Sequence, residues 1–144
     1  MKVSYVVEAV QPDRRMIVAS DASRDEITMG GRLRCQVGGS SGAEVWEDGC
    51  GNDTASLEAK ILELAAMATA RGYDGLLVVA EPTGGYELLL LRTAQRLGHL
   101  AAYVSGEAVS LSRTIEYNDT GKTDQRDPLV IFALAERGKM MKFR

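Results

Sequence analysis

The sequence predicts an α/β domain built on a mixed β-sheet flanked by helices on both faces. Three observations point there. Short β-rich runs separated by turn residues fill the first third of the chain, and segments of helical apolar spacing follow. Between those helices lie strands that are apolar at every position. A run such as Leu76-Leu77-Val78-Val79-Ala80 has no wet face, so it belongs at the centre of a sheet covered on both sides.

The elements read as follows. Lys2 to Val10 is a strand or N-terminal extension, closed by Gln11-Pro12-Asp13, and residues 1–15 are set apart from the domain on that ground. Met16 to Ser20 is a β-rich run leading into Asp21. Ile27 to Met29 is a short strand that Gly30-Gly31 is expected to break or bulge before Arg32 to Val37. Gly38-Gly39-Ser40-Ser41-Gly42 is a loop, Ala43 to Trp46 a further antiparallel strand, and Glu47 to Asp53 a polar loop. Asp53 or Thr54 caps the clearest helix, in which Leu57, Ile61, Leu64, Ala65 and Ala68 recur on one face before Gly72 stops it. After the central strand, Thr83 is expected to cap a helix running through Tyr86, Leu89, Leu90, Thr93 and Leu97 to Gly98. Leu100 to Val104 is a buried strand, residues 107–117 are helical, and Leu129 to Arg137 forms a last helix ended by Gly138. Strands separated by helices are parallel and connected right-handedly. The domain is thus placed at residues 16–138, with 139–144 a basic tail.

Bulk properties narrow the function classes. A chain of 144 residues, 45% apolar and 26% charged, is sized and composed for one globular domain rather than a disordered segment. No apolar run approaches the roughly 20 residues that span a bilayer, and no small-residue cleavage site follows the N-terminus, so a cytoplasmic protein is expected. Cys35 and Cys50 read as free thiols, because one histidine, His99, cannot complete a four-ligand zinc site with them. The net charge of -3 argues against a broadly basic surface, unless the negative charge gathers at a metal site.

Ligands of open α/β sheets collect at the carboxyl ends of the strands. Two acids stand there. Asp21 follows the run Met16 to Ser20, and Glu81 follows Leu76 to Ala80, where Pro82 prevents the strand from continuing. If the two strands are parallel neighbours, both carboxylates leave the sheet at one edge, and a hard divalent cation relieves their repulsion. Two such ions about 4 Å apart activate a water or hydroxyl and stabilise the leaving oxygen of a phosphodiester. An aspartate at a strand end also serves as a turn former, so the position alone leaves both roles open. Asp124 and Asp127 are three apart and share a face if they lie on one helical turn, with Lys122 beside them; a charged helix start has the same composition. The Gly38–Gly42 run lacks the lysine of a phosphate-binding loop. Trp46 and Tyr86 are aromatic enough to stack on bases, and equally suited to a core. His99 is expected to be a partly buried structural residue.

Three segments carry a family likeness: Ser20-Asp21-Ala22-Ser23-Arg24-Asp25-Glu26-Ile27-Thr28, Glu81-Pro82-Thr83-Gly84-Gly85-Tyr86 and Lys122-Thr123-Asp124-Gln125-Arg126-Asp127. In that order they resemble the DEDD insertion-sequence transposases, the family that includes the pilin-gene invertases. The likeness runs from about Met16 to Gly138. It implies a resolvase-like RNase H fold in which Asp21, Glu81, Asp124 and Asp127 bind Mg2+ or Mn2+, as two ions, for cleavage and joining of DNA strands. It also implies a guide RNA in some members and a further C-terminal domain carrying a catalytic serine; a homo-oligomer is expected, and Arg24, Arg113 and Lys122 are the candidates for contact with a DNA backbone. On that expectation the chain alone does not recombine DNA. Two residues depart from the pattern. Arg24 stands where lysine is common, and Pro128 follows the last aspartate, so the final helix is expected to begin at Pro128 with Asp127 as its cap. A non-catalytic module of the same fold that docks onto a partner domain or guide RNA is the alternative. An actin-like ATP-binding relative is disfavoured by the lack of a glycine-rich hairpin next to Asp21.

Overall fold

A computed structural model of the chain describes residues 14–34, 43–105 and 127–143. Among the described residues six strands form one sheet: β1 (Met16–Ala22), β2 (Glu26–Arg34), β3 (Ala43–Gly51), β4 (Leu76–Ala80), β5 (Leu100–Tyr103) and β6 (Met141–Lys142). Helices α1 (Thr54–Ala70), α2 (Leu88–Arg96) and α3 (Asp127–Glu136) connect or follow them. The sheet order is β3-β2-β1-β4-β5-β6. The first three strands form an antiparallel meander, β1 pairs with β4 and β4 with β5 in parallel, and β6 returns antiparallel to β5.

Strand alternation divides the core into two layers. Met16 and Val18 of β1 and Leu76, Val78 and Ala80 of β4 face α1 and α2, whose Leu57, Ile61, Leu64, Leu90 and Leu91 cover that side. Ile17, Ala19, Leu77 and Val79 face the other way and pack under Val130, Ile131, Phe132 and Leu134 of α3. β4 is buried at every residue, as its unbroken apolar run requires. Helices on both faces of a mixed sheet are what the sequence predicts. Among the described residues no helix is long and apolar enough to cross a membrane.

Local chemistry explains the helix ends. Asp53 caps α1 by accepting the Ser56 N–H at 2.8 Å and the Ser56 hydroxyl at 2.9 Å. Each of the three helices among the described residues ends in a Schellman motif closed by a glycine with positive φ, Gly72 (87°), Gly98 (91°) and Gly138 (80°). After α1, for example, the Gly72 N–H donates to the Thr69 carbonyl and the Tyr73 N–H to the Ala68 carbonyl.

Several expectations need correcting. Gly30-Gly31 does not break β2, which pairs with β3 without interruption from Glu26↔Gly51 to Arg34↔Ala43. At Gly31 the missing side chain instead makes room for α3, since a Cβ there would lie 3.0 Å from both the Phe132 ring and the Ile17 carbonyl. A Cβ at Gly30 would lie 3.0 Å from the Trp46 carbonyl and, at 3.5 Å, in ordinary contact with Cβ of Pro128. β3 continues to Gly51, so most of the expected Glu47 to Asp53 loop is strand, held by its ladder to β2 despite polar composition. α2 begins at Leu88 rather than near Thr83, because turn geometry occupies the residues between. Residues 139–143 are not a tail. Met140 and Phe143 are buried, the Phe143 ring meets the Tyr103 ring edge-on at 5.6 Å, and Met141–Lys142 pairs as β6. The strand or extension expected before Arg14, the Gly38–Gly42 loop, Cys35 and the helix expected at 107–117 lie outside the described residues.

Candidate metal centre at the carboxyl edge

Parallel pairing of β1 with β4 runs in register from Met16↔Leu76 to Ser20↔Ala80. The next residue on each chain is Asp21 and Glu81. Adjacent strands lie about 4.8 Å apart, so the register sets these two acids side by side at the carboxyl edge. Asp21 is still laddered to Thr28 of β2, and both acids are half-buried. Alternation gives Asp21 the side of Ile17 and Ala19, which is the α3 side. Carried one step beyond Ala80, the same alternation gives Glu81 the side of Leu77 and Val79.

Helix α3 starts at this edge. Pro128 lies against Gly30, the partner of Ala19, and Phe132 lies against Gly31, one residue further from the edge. The helix therefore descends from the carboxyl edge toward the start of β1, and Asp127, its first residue, begins it close to Asp21. The boundary is one residue ahead of the expected start at Pro128, within the ordinary play of helix ends. The partially positive N-terminus of α3 is directed to the side that holds the two acids. Asp124, Lys122 and Arg113 lie outside the described residues. Among the described residues no group of three or more His, Cys, Asp or Glu side chains is placed to hold a metal ion. Asp21 and Glu81 fit such an ion as hard oxygen donors. Arg24, on the β1–β2 turn, is exposed and 3.5 Å from the Asp25 carboxylate.

Glu87, which the sequence reading passed over as part of a helix, braces the loop that carries Glu81. Only 3% exposed, its Oε1 accepts the N–H groups of Thr83 (3.0 Å) and Gly85 (3.2 Å) and the Thr83 hydroxyl (3.3 Å). Its Oε2 accepts the Tyr103 hydroxyl from β5 at 2.9 Å. Thr83 thus donates to this carboxylate instead of capping a helix. Positive φ at Gly84 (76°) and Gly85 (104°) lets the chain turn tightly enough to aim those amides inward. Burial alone would raise the Glu87 carboxyl; hydrogen bonds from Thr83, its own backbone and Tyr103 outweigh it and hold the group below its ordinary value of 4.5. Tyr103 is pushed up to about 12 by burial and by Glu87. The sequence signal was available: a Glu at the end of a Thr-Gly-Gly turn can accept the turn's own amides.

The pH dependence follows. The stability that Tyr103 gains as a neutral donor is complete below pH 10 and declines as pH rises from 10 to about 12. The stability from ionised Glu87 is complete above pH 4.5 and is lost on acidification below that value. Urea unfolding across both ranges should show both slopes, and Tyr103→Phe should remove the alkaline one. Glu87→Gln, which turns an amide N–H2 toward donors, is expected to cost about 2 kcal/mol at neutral pH.

His99 Nδ1 accepts the Leu76 N–H at 3.2 Å, at the opposite end of β4 from Glu81, and burial and then Arg15 lower its basicity. Cys50 is a free thiol pushed up by burial. Trp46 packs against the α1-side core with its indole N–H enclosed, whereas Tyr86 is 46% exposed.

Sheet order 3-2-1-4-5, with β1 antiparallel to β2 and parallel to β4 and helices on both faces, is the RNase H-like fold. The chain is similar to the Thermus thermophilus RuvC structure, with a TM-score of 0.57 and 13% identity over 88% of this chain and 99% of that one. It is also similar to T. thermophilus RuvC in complex with Holliday junction substrate, with a TM-score of 0.55 and 12% identity over 90% and 99% of the two chains. At such identities the likeness shows the fold. No protein-family model and no curated protein sequence matches the chain.

Proposed function

We propose that this chain is the metal-dependent catalytic domain of a DEDD-type insertion-sequence transposase, acting in DNA strand cleavage and joining. The observation that carries the reading is the β1–β4 register, which ends at Ser20↔Ala80 and so brings Asp21 beside Glu81. Support comes from α3, whose first residue, Asp127, starts at the same edge, and from the shared fold with a protein solved on a Holliday junction substrate. In this reading Asp21, Glu81, Asp124 and Asp127 hold Mg2+ or Mn2+. The ions supply Lewis-acid activation of the attacking oxygen and neutralise charge on the scissile phosphate. The protein's part is to hold Asp21 on a strand laddered on both sides, to present Glu81 from a loop braced by Glu87, and to aim the α3 N-terminus at the phosphate side. Arg24, Arg113 and Lys122 contact the DNA backbone, which the net charge of -3 makes a local rather than a general attraction.

Calorimetric titration with MnCl2 tests this. The wild-type chain should bind Mn2+ with saturable heat, and Asp21→Asn should not. Absence of binding in the wild type would favour the non-catalytic docking module of the same fold.

A further inference from the structure

Asn52 sits in the turn between β3 and α1, one residue before the cap Asp53. Its backbone N–H donates to the Asp25 carbonyl at 3.0 Å. Its side-chain Nδ2 donates to two carbonyls, that of Ser23 at 2.8 Å and that of Tyr86 at 2.9 Å. Ser23 is two residues past Asp21, and Tyr86 lies in the segment that opens with Glu81. Both amide protons are thereby committed, and a rotated carboxamide would set its oxygen against two carbonyl oxygens, so the network dictates the orientation.

The position matters because the backbone ladder between β1 and β4 stops at Ser20↔Ala80, one step short of both acids. Beyond it Asp21 and Ala22 stay paired with β2 alone, whereas the chain at Glu81 has left β4. One carboxamide on a third segment spans them. We propose that Asn52 is a positioning residue, tying the turn after Asp21 to the loop after Glu81 so that the two carboxylates are held at a fixed separation before an ion arrives. The inference rests on the metal-site reading above. It makes no claim that Asn52 touches the ion. Supports behind a metal's own ligands characteristically set affinity by 10- to 100-fold.

The test compares wild type, Asn52→Ala and Asp21→Asn, measuring Mn2+ affinity by calorimetry, the spin-resonance spectrum of bound Mn2+, and thermal unfolding without metal. Asn52→Ala is expected to bind Mn2+ about 10- to 100-fold more weakly, with a broadened spectrum at saturation and a retained cooperative unfolding transition. Asn52→Ser keeps a turn-forming residue too short to reach both carbonyls, and it carries the same test if Asn52→Ala does not fold. A lower melting temperature with unchanged Mn2+ affinity and spectrum would overturn the proposal and leave Asn52 a purely structural residue. If Asp21→Asn abolishes binding while the Asn52 variants bind as wild type does, this inference alone fails. If Asp21→Asn binds as wild type, or the wild type takes up no Mn2+, the underlying reading fails and takes the inference with it.

Discussion

Asp21→Asn is expected to remove nearly all of the stabilisation that Mn2+ gives the folded chain. An ion that binds the native state raises stability with its concentration, by about 2.7 kcal/mol at a hundred times its dissociation constant. The asparagine keeps the size of the side chain and the β1–β2 ladder at Asp21↔Thr28, but replaces an anionic ligand by a neutral one. Scanning calorimetry with and without MnCl2 should therefore show a melting shift in the wild type and essentially none in the variant. Without metal the two should unfold within roughly 1 kcal/mol of each other, as expected for a half-buried position outside the core.

The largest expected loss of fold stability is at Ile131. Its side chain, carried by α3, is fully buried against the sheet, in the layer formed with Ile17, Ala19, Leu77 and Val79. Ile131→Ala should cost about 3–4 kcal/mol, the lost transfer energy plus the cavity that close-packed neighbours cannot refill. Urea unfolding should show a lower midpoint at unchanged slope. The consequence reaches the site, because α3 is anchored by this layer and its first turn starts beside Asp21. Mn2+ affinity should fall in Ile131→Ala even where the variant is still folded, whereas Leu62→Ala, on an exposed position of α1, should change neither property.

The parts of the fold that the sequence disclosed are those where one physical signal dominates. Leu76 to Ala80 could only be a strand buried on both faces, and the Leu57, Ile61, Leu64, Ala68 spacing could only be one face of a helix. Where tertiary contacts override local preference, the reading slipped. Gly30-Gly31 looks like a break because glycine weakens strands, but the ladder to β3 runs through it and α3 needs the space at Gly31. Glu47 to Gly51 looks like a loop because it is polar, but it is an edge strand held by its partner. Lys139 to Phe143 looks like a tail because its buried residues, Met140 and Phe143, are too few to show periodicity.

The site divides in the same way. The placement of Glu81 just past a strand end was legible, since the Pro82 stop marks that end, whereas β1 runs past Asp21 to Ala22. That the strands are parallel neighbours in matching register was not, because register is settled by which apolar residues meet across the sheet. Asn52 was invisible for a different reason. Its two partners are backbone carbonyls on segments 29 and 34 residues away, and no side-chain pattern announces such contacts.

Diffraction from crystals soaked in MnCl2, with the anomalous signal of the ion, tests the central claim most directly. The account predicts an anomalous peak ligated by the carboxylates of both Asp21 and Glu81, on the α3 side of the sheet. Mn2+ bound elsewhere, with those two carboxylates turned into separate regions of solvent, would contradict it.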